Sequence, residues 1–238
     1  MNFATQHPYA IRFEWGIQGV RNVANSGGVT IIVDVLSFST CVDIACSRDA
    51  QILPYQYKNE TAEVFARANS ALLAVGRSGK GLSLSPQSLL TIEPNTRLVL
   101  PSPNGSTLTL ACKTPVVLSA CLRNASAVAA YASRQRRPIT VIAAGEQWDN
   151  GALRPATEDL IGAGAVIHFL TGDKSPEATV AELAFIGSKE NLSSILVGCA
   201  SAIELIERGF ADDVQLAEDF NISSCVPRLI NGAYVHII

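Results

Sequence analysis

The sequence predicts an α/β protein in three layers, with helices on both faces of a mostly parallel or mixed sheet. Short apolar runs rich in β-branched residues alternate with longer stretches of helical periodicity. Hydrophobic residues make up 48% of the chain and charged residues 16%, which is ample material for a buried core. Strands covered on both faces form such continuous apolar runs. The alternation therefore indicates repeated strand–polar loop–helix units.

Five apolar runs have the length and composition of buried strands. The predicted strands are residues 29–36, 97–101, 116–119, 139–143 and 234–238. The predicted helices are residues 61–70, 106–112, 125–134, 158–170, 176–186 and 201–208. The Gly- and Ser-rich stretch 72–90 is predicted to be a loop bordering the site, and the acidic stretch 210–220 a solvated helix face. We interpret residues 1–238 as one unit, with a seam near residues 145–155 where two subdomains could divide.

Composition excludes several classes of function. A formal net charge of −3 and the lack of a basic, aromatic-rich block argue against a nucleic-acid partner. No apolar run is long enough for a membrane-spanning helix, and the N-terminal residues lack the pattern of a secretory signal. Six scattered cysteines without a CxxC pair suit the reducing cytoplasm. We expect a cytoplasmic protein that binds a small phosphorylated acid and that could form a homo-oligomer.

Asp34 is the first candidate for chemistry. It stands near the end of an apolar strand, where a carboxylate is costly unless it is coordinated or hydrogen-bonded. Ser39 and Thr40 follow it with hydroxyl groups that could bind a phosphate. The alternative interpretation is that Asp34 caps a turn or the next helix. Loops at the carboxyl ends of parallel strands, with helix N-termini behind them, are where such folds bind ligands.

A second polar loop follows the predicted strand 97–101. In it, Ser102, Asn104 and Ser106 offer polar side chains, and Gly105 permits either a positive φ or a close approach of the backbone. The backbone N–H groups of the following helix would point at the bound group. This is the pattern of an anion-binding loop. An ordinary turn with a serine cap has the same appearance.

The segment after the fourth predicted strand carries the most charge. Glu146 and Arg154 precede Glu158 and Asp159, which open a helix. Carboxylates are favoured at a helix N-terminus, so the last two residues also have a capping explanation. Glu146 and Arg154 combine a hard oxygen ligand for Mg²⁺ with a guanidinium that fits a phosphate or sulfonate. We therefore predict Mg²⁺ as the cofactor, and the candidate ligands are Asp34, Glu146, Glu158 and Asp159.

These segments together resemble the 2-phosphosulfolactate phosphatase family. Residues 33–40, 102–106, 124–125, 145–146 and 154–165 occur in the order and spacing of that family, over about residues 29–230. The resemblance implies a Mg²⁺-dependent phosphoric monoester hydrolase that removes phosphate from 2-phospho-3-sulfolactate, a step towards coenzyme M. It implies that the catalytic residues are Asp34, Glu146 and Arg154. It implies a substrate- and phosphate-binding set of Ser39, Thr40, Ser102, Asn104, Gly105, Ser106, Asn124 and Arg154.

Two positions depart from the family pattern. Members that serve coenzyme M synthesis typically have an arginine where this chain has Ser37, and a glutamate where it has Arg77. Both segments should border the substrate. We therefore predict weak turnover of 2-phospho-3-sulfolactate and better turnover of another small phosphorylated acid.

Three alternatives differ from this interpretation in mechanism, class or fold. Asp34 could form an aspartyl-phosphate, but Leu36 stands where enzymes of that type have a second aspartate. We therefore prefer attack by a metal-activated water. A non-catalytic domain that binds a phospho-acid or another anion is the alternative from a different class. A dinucleotide-binding fold is disfavoured, because Gly162 and Gly164 fall within a predicted helix, where small residues allow close packing.

Overall fold

The computed structural model describes residues 3–57 and 59–237. Its strands are β1 (Ile11–Trp15), β2 (Val29–Val33), β3 (Gln51–Tyr55), β4 (Leu72–Leu73), β5 (Arg97–Pro101), β6 (Val116–Ala120), β7 (Ile139–Ala143), β8 (Glu146–Gln147), β9 (Leu153–Arg154), β10 (Pro227–Ile230) and β11 (Ala233–His236). Its α-helices are α1 (Gly16–Asn22), α2 (Phe38–Cys46), α3 (Glu60–Ala68), α4 (Pro86–Leu89), α5 (Gly105–Ala111), α6 (Ala125–Arg134), α7 (Thr157–His168), α8 (Pro176–Ser188), α9 (Leu192–Val197), α10 (Ala200–Glu207) and α11 (Ala211–Glu218).

A mixed sheet of nine strands runs through the molecule in the order β1-β7-β2-β6-β10-β11-β3-β5-β4. The strands β1, β7, β2 and β6 are parallel to one another, and so are β3, β5 and β4. The antiparallel hairpin β10–β11 lies between these groups and pairs antiparallel with β6 on one side and β3 on the other. Three successive antiparallel pairings mean that the two parallel groups run in opposite directions. The predicted α/β class with a mixed sheet is confirmed.

Helices cover both faces of this sheet. Alternate residues of β2 enter different cores: Ile31 and Val33 pack on one side and Ile32 on the other, and all three are fully buried. The first core lies under α6, α7 and α8, and the second includes residues of α2 and α5. Because both faces are apolar, β2 has the continuous β-branched sequence that predicted it.

Most predicted elements occur, with shifted boundaries in several cases. The strands β5 and β7 and the helix α6 have the predicted ends. By contrast, β2 ends at Val33, because the Val35 N–H leaves the sheet to donate to the Asp159 carboxylate. A Cβ on Gly164 would lie 2.0 Å from a backbone oxygen of α8, which confirms that this small residue permits close helix packing. The stretch 72–90 is largely irregular, but it contains β4 and α4.

The acidic stretch 210–220 is only partly the solvated helix face that we predicted. It forms α11, in which Asp212 is exposed but Asp213 is 1% exposed. Asp213 forms an ion pair with Arg77, so the prediction is wrong for that residue. Residues 145–155 contain the small antiparallel hairpin β8–β9. In the described part of the chain, no helix combines the length and the apolar character needed to cross a membrane.

Candidate active site

Asp159 ties together the ends of two neighbouring strands. Its Oδ1 accepts from the Val35 N–H, just after β2, at 2.7 Å, and its Oδ2 accepts from the Gly145 N–H, just after β7, at 2.8 Å. The side chain is 4% exposed and belongs to the first turn of α7. The carboxylate therefore satisfies two backbone donors that the sheet leaves unpaired, and it places α7 against both strand ends.

Asp34 links the same strand end to the loop before α5. Its Oδ1 accepts from the Phe38 N–H at 3.2 Å, and its Oδ2 accepts from the Gly105 N–H at 2.8 Å. The side chain is 4% exposed. The N-terminal turn of α2 and the first N–H of α5 thus converge on one buried carboxylate, as the alternative capping interpretation predicted.

Burial and the charges of neighbouring carboxylates raise the pKa of Asp34, Glu146 and Asp159. Burial, followed by the charge of Glu146, raises the pKa of Asp34 to about 7. Burial, followed by the charges of Asp34 and Glu158, raises the pKa of Asp159 well above its usual value. Burial and the charge of Glu158 also raise the pKa of Glu146, whereas a hydrogen bond from Asn104 and the charge of Arg154 oppose the rise. Four carboxylates from three segments therefore share one small region.

The donor chemistry of the cluster suits a hard cation. Carboxylate oxygens are the preferred ligands of Mg²⁺, which keeps several waters and takes few protein carboxylates. Within the described ranges, however, no three His, Cys, Asp or Glu side chains are arranged to hold an ion directly. Asp34 and Asp159 already accept two backbone N–H groups each. Glu158, which is 2% exposed, is a further buried carboxylate of the cluster.

The loop 102–106 meets the cluster through Asn104 and Gly105. The Asn104 amide donates to Glu146 Oε2 at 2.9 Å and so fixes the direction of that carboxylate. Gly105 does not adopt a positive φ. Its missing side chain matters for close approach instead, because a Cβ there would lie 2.2 Å from the Phe38 ring and 2.8 Å from Asp34 Oδ2. Ser102 is buried, and its N–H donates to the Tyr55 carbonyl at 3.0 Å.

Four of the residues predicted to bind phosphate have their polar atoms engaged within the fold. Ser39, Thr40 and Ser106 each donate their hydroxyl to a nearby backbone carbonyl at 2.7–3.2 Å. The Asn124 amide accepts from one backbone N–H and donates to a carbonyl near the C-terminal hairpin. All four are fully buried. These hydrogen bonds hold the loops in place, and a role of the four residues in phosphate binding remains a prediction.

Arg154 stands beside the carboxylates on the hairpin β8–β9. It is the cross-strand partner of Glu146, so the two side chains leave the hairpin on the same face. One Nη atom lies 3.4 Å from Ser201 Oγ, and the guanidinium carbon lies 5.7 Å from the centre of the Trp148 ring. The positive charge of Arg154 therefore lies next to the Glu146 carboxylate.

Arg77 occupies the neighbourhood of Ser37, where the family pattern has an arginine. Its Nη2 donates to Ser37 Oγ at 3.2 Å, and its Nη1 forms an ion pair with Asp213. Asp213 also accepts from the Ser85 hydroxyl at 2.6 Å and from the Gln87 N–H at 3.0 Å. The two departures in sequence are thus neighbours in space. The sequence signal for this contact was that positions 37 and 77 both depart from the family pattern.

A cleft of about 500 Å³ is lined in part by the hydrogen-bonded pair Asn104 and Glu146. Its walls come from α1, from residues 103–111 and from the hairpin β8–β9. Asn104, Gly145 and Glu146 belong both to the cleft and to the acidic cluster, whereas Asp34 and Arg154 do not line it. The cleft therefore reaches the cluster at Glu146.

The fold and the site define a class: an α/β protein with an oxygen-rich acidic cluster at its strand ends, next to an open cleft. The chain belongs to the 2-phosphosulpholactate phosphatase family, whose model matches residues 18–232. This confirms the resemblance found in the sequence.

Three relatives have the name probable 2-phosphosulfolactate phosphatase. The protein of Pseudothermotoga lettingae is 25% identical over 214 residues, which cover 87% of this chain and 92% of the relative. Those of Thermotoga maritima and Thermotoga petrophila are 26% and 27% identical, and each match covers 86% of this chain and 90% of the relative.

Proposed function

We propose that this protein is a Mg²⁺-dependent phosphatase that hydrolyses the phosphate ester of a small acid of the 2-phosphosulfolactate type. The observation that carries the proposal is the convergence of Asp34, Glu146, Glu158 and Asp159, with Arg154 as the cation beside them. Buried carboxylates are costly without a positive partner. A divalent cation would balance this charge, and together with Arg154 it would attract the anionic phosphoryl group of the substrate. The proposed enzyme works in the cytoplasm, and its six cysteines form no disulfide.

The side chains have distinct parts in this proposal. Asp34, Glu146 and Glu158 would hold Mg²⁺ partly through its bound waters, since no three carboxylates of the described residues are arranged to hold an ion directly. Asp159 would position the strand ends through its two backbone contacts. When bound, Mg²⁺ supplies neutralisation of phosphoryl charge and activation of water. Glu146, whose direction Asn104 fixes, accepts a proton from the attacking water. Arg154 stabilises the negative charge on the transferring phosphoryl group. The water oxygen bonds to phosphorus, the ester P–O bond breaks, and the proton passes to the leaving alcohol.

The geometry of Asp34 favours water over a protein nucleophile. Both of its carboxylate oxygens accept backbone N–H groups, and the side chain is 4% exposed. An in-line attack on phosphorus requires an oxygen that the substrate can reach. We therefore propose direct hydrolysis without an aspartyl-phosphate intermediate.

The test separates this enzyme from a non-catalytic binding domain. Purified protein is assayed for phosphate release from phenyl phosphate and from a panel of phosphorylated hydroxy acids, with Mg²⁺ and with a chelator. We expect turnover that the chelator abolishes, and loss of most activity in Asp34→Asn with the circular dichroism spectrum retained. Lack of Mg²⁺-dependent release from every ester would favour the binding domain.

We further propose that 2-phospho-3-sulfolactate is not the preferred substrate. An arginine at position 37 would present a free positive charge, whereas the Arg77 guanidinium beside Ser37 is balanced by Asp213. Loss of one charge-assisted contact lowers affinity by roughly ten- to a hundredfold. We expect kcat/KM for this ester at least about tenfold below that of the best acid in the panel. Its being the best substrate of the panel would contradict the proposal.

A further inference from the structure

We infer that the cleft beside Glu146 binds the alcohol part of the substrate, and that this part has an apolar segment and a carboxylate that meets Arg21. The inference rests on the proposed phosphatase function and names the class of ester that it acts on. It predicts an acid larger than a three-carbon hydroxy acid.

The size and walls of the cleft suit an organic group. Its volume of about 500 Å³ lies within the 300–1,000 Å³ range of small-molecule sites. Two large apolar side chains of its lining are exposed: Leu110 by 54% and Leu153 by 41%. Trp15, Ile17 and Leu108 extend the apolar wall. Binding is favoured when a ligand covers exposed apolar side chains in a cleft, because their apolar surface is removed from water.

A few polar groups would fix the direction of that ligand. Arg21, in the last turn of α1, is exposed and forms no ion pair with any residue in the described ranges. Its planar guanidinium is suited to a carboxylate. Thr107 Oγ1 is buried and has no hydrogen-bond partner among the described residues. A bound polar atom would satisfy this oxygen.

Two charges of opposite sign in the cleft lining orient the ligand. Glu146 belongs to the acidic cluster, where the phosphoryl group is transferred under the proposed function. The carboxylate of the substrate would be repelled by Glu146. Arg21 supplies a positive charge elsewhere in the lining. The ester oxygen therefore lies toward Glu146 and the carboxylate of the alcohol part toward Arg21.

A pair of matched esters tests the inference. Phenyl phosphate and 4-carboxyphenyl phosphate differ only in the carboxylate on the leaving group. We expect kcat/KM to be about tenfold higher for the carboxylated ester, since one charge-assisted contact is gained. In Arg21→Gln the ratio should fall to about one, and in Arg21→Glu below one. The control Arg67→Gln, an exposed arginine of α3, should keep the wild-type ratio.

The outcomes separate this inference from the proposed function. The inference is overturned if wild type has equal kcat/KM for the two esters, or if its preference for the carboxylated ester survives Arg21→Glu. Either result leaves the proposed phosphatase function intact. If neither these two esters nor any phosphorylated acid of the panel is hydrolysed, the proposed function fails, and calorimetric titration with 4-hydroxybenzoate and with phenol decides the inference. Preferential binding of 4-hydroxybenzoate that Arg21→Glu abolishes would support the cleft as an acid site; equal binding of both would overturn it.

Discussion

Asp34 combines two backbone hydrogen bonds with a pKa of about 7, because burial and the charge of Glu146 outweigh both bonds. In the unfolded chain an aspartate has a pKa near 3.9. The folded state therefore holds this proton more tightly. The resulting contribution to stability is complete below about pH 4 and is lost as the pH rises through 7.

Asp34→Asn should reduce the dependence of stability on pH. In metal-free protein, we expect the free energy of unfolding to fall between pH 5 and pH 8, and to fall less steeply in the variant. Asp159 keeps part of the slope, because burial also raises its pKa. Urea unfolding at several pH values with a chelator present measures this. Asp212→Asn, which changes an exposed carboxylate of α11, serves as control; equal slopes in all three proteins would contradict the prediction.

Gly105→Ala should damage the site although it adds only a methyl group. The new Cβ would lie 2.2 Å from the Phe38 ring and 2.8 Å from Asp34 Oδ2. We expect a loss of about 1–3 kcal/mol in stability and at least a tenfold drop in turnover. Gly187→Ala is the matched control, since no atom lies within 4 Å of its added Cβ. That change, on helix α8, should leave activity unchanged and add up to about 1 kcal/mol of stability. Similar effects of the two changes would refute the argument.

The contacts of some site residues could be predicted from the sequence, whereas those of others could not. Asp34 and Glu146 stand out because carboxylates directly after apolar strands have few inexpensive positions. The hydroxyls of Ser39 and Ser106 were equally suitable for phosphate by sequence, yet they donate to carbonyls of the preceding strands β2 and β5. Which carbonyl a serine meets depends on backbone angles that composition does not specify. The roles of the site residues remain predictions.

At the scale of elements, Arg77 connects the irregular stretch 72–90 to two other segments. It forms an ion pair with Asp213 of α11 and donates to Ser37 in the turn before α2. Asp213 is almost fully buried and Arg77 is 13% exposed. Three further donors or acceptors on these segments complete the contact. A buried ion pair of this kind is costly to break from one side, because the remaining charge loses its partner.

Arg77→Met should destabilise the protein by about 3 kcal/mol, the low end for a broken buried pair, since Asp213 keeps two other donors. Arg208→Met is a suitable control: both guanidinium groups lie over the Phe210 ring, at 5.4 and 6.0 Å from its centre. The ion pair of Arg208 with Glu204 is exposed, so its loss should cost at most about 0.5 kcal/mol. Thermal or urea unfolding gives both values; comparable losses would show that the buried pair has no special weight.

Elements with one dominant signal were predictable. The strands β5 and β7 are short apolar runs, and α6 has a clear helical pattern, so their ends agree with the prediction. Three strands were missed because charged residues or proline interrupt their apolar pattern. These residues are Arg12 and Glu14 in β1, Pro54 in β3, and Pro227 and Arg228 in β10. In those strands tertiary contacts override local preference: Arg12, for example, donates to the Tyr9 carbonyl and to Ser26.

At the scale of the whole molecule, bound Mg²⁺ should stabilise the fold. An ion that binds only the folded state adds about 2.7 kcal/mol at a hundred times its Kd. We expect thermal unfolding at pH 8 to shift upward on addition of Mg²⁺, and the shift to shrink strongly in Glu158→Gln. Lys80→Gln, a change on the exposed part of the stretch 72–90, should retain the full shift. A shift of equal size in wild type and Glu158→Gln would remove that residue from the proposed ligands.

The layered architecture follows from the sequence, but the reversal within the sheet does not. Apolar strands with helices between them require cover on both faces, and the structure has it. The opposite direction of the two parallel groups comes from the hairpin β10–β11, whose partners β6 and β3 are far away in the chain. No local pattern of residues encodes a pairing at that separation.

That hairpin also constrains how the protein is made. During synthesis β6 emerges roughly a hundred residues before β10, a delay of about 5–20 s at ordinary elongation rates. Until then the inner edges of β6 and β3 have no partner within the sheet. Exposed strand edges of this kind invite pairing with other chains. The nascent chain would thus depend on chaperone protection until translation delivers its central strands.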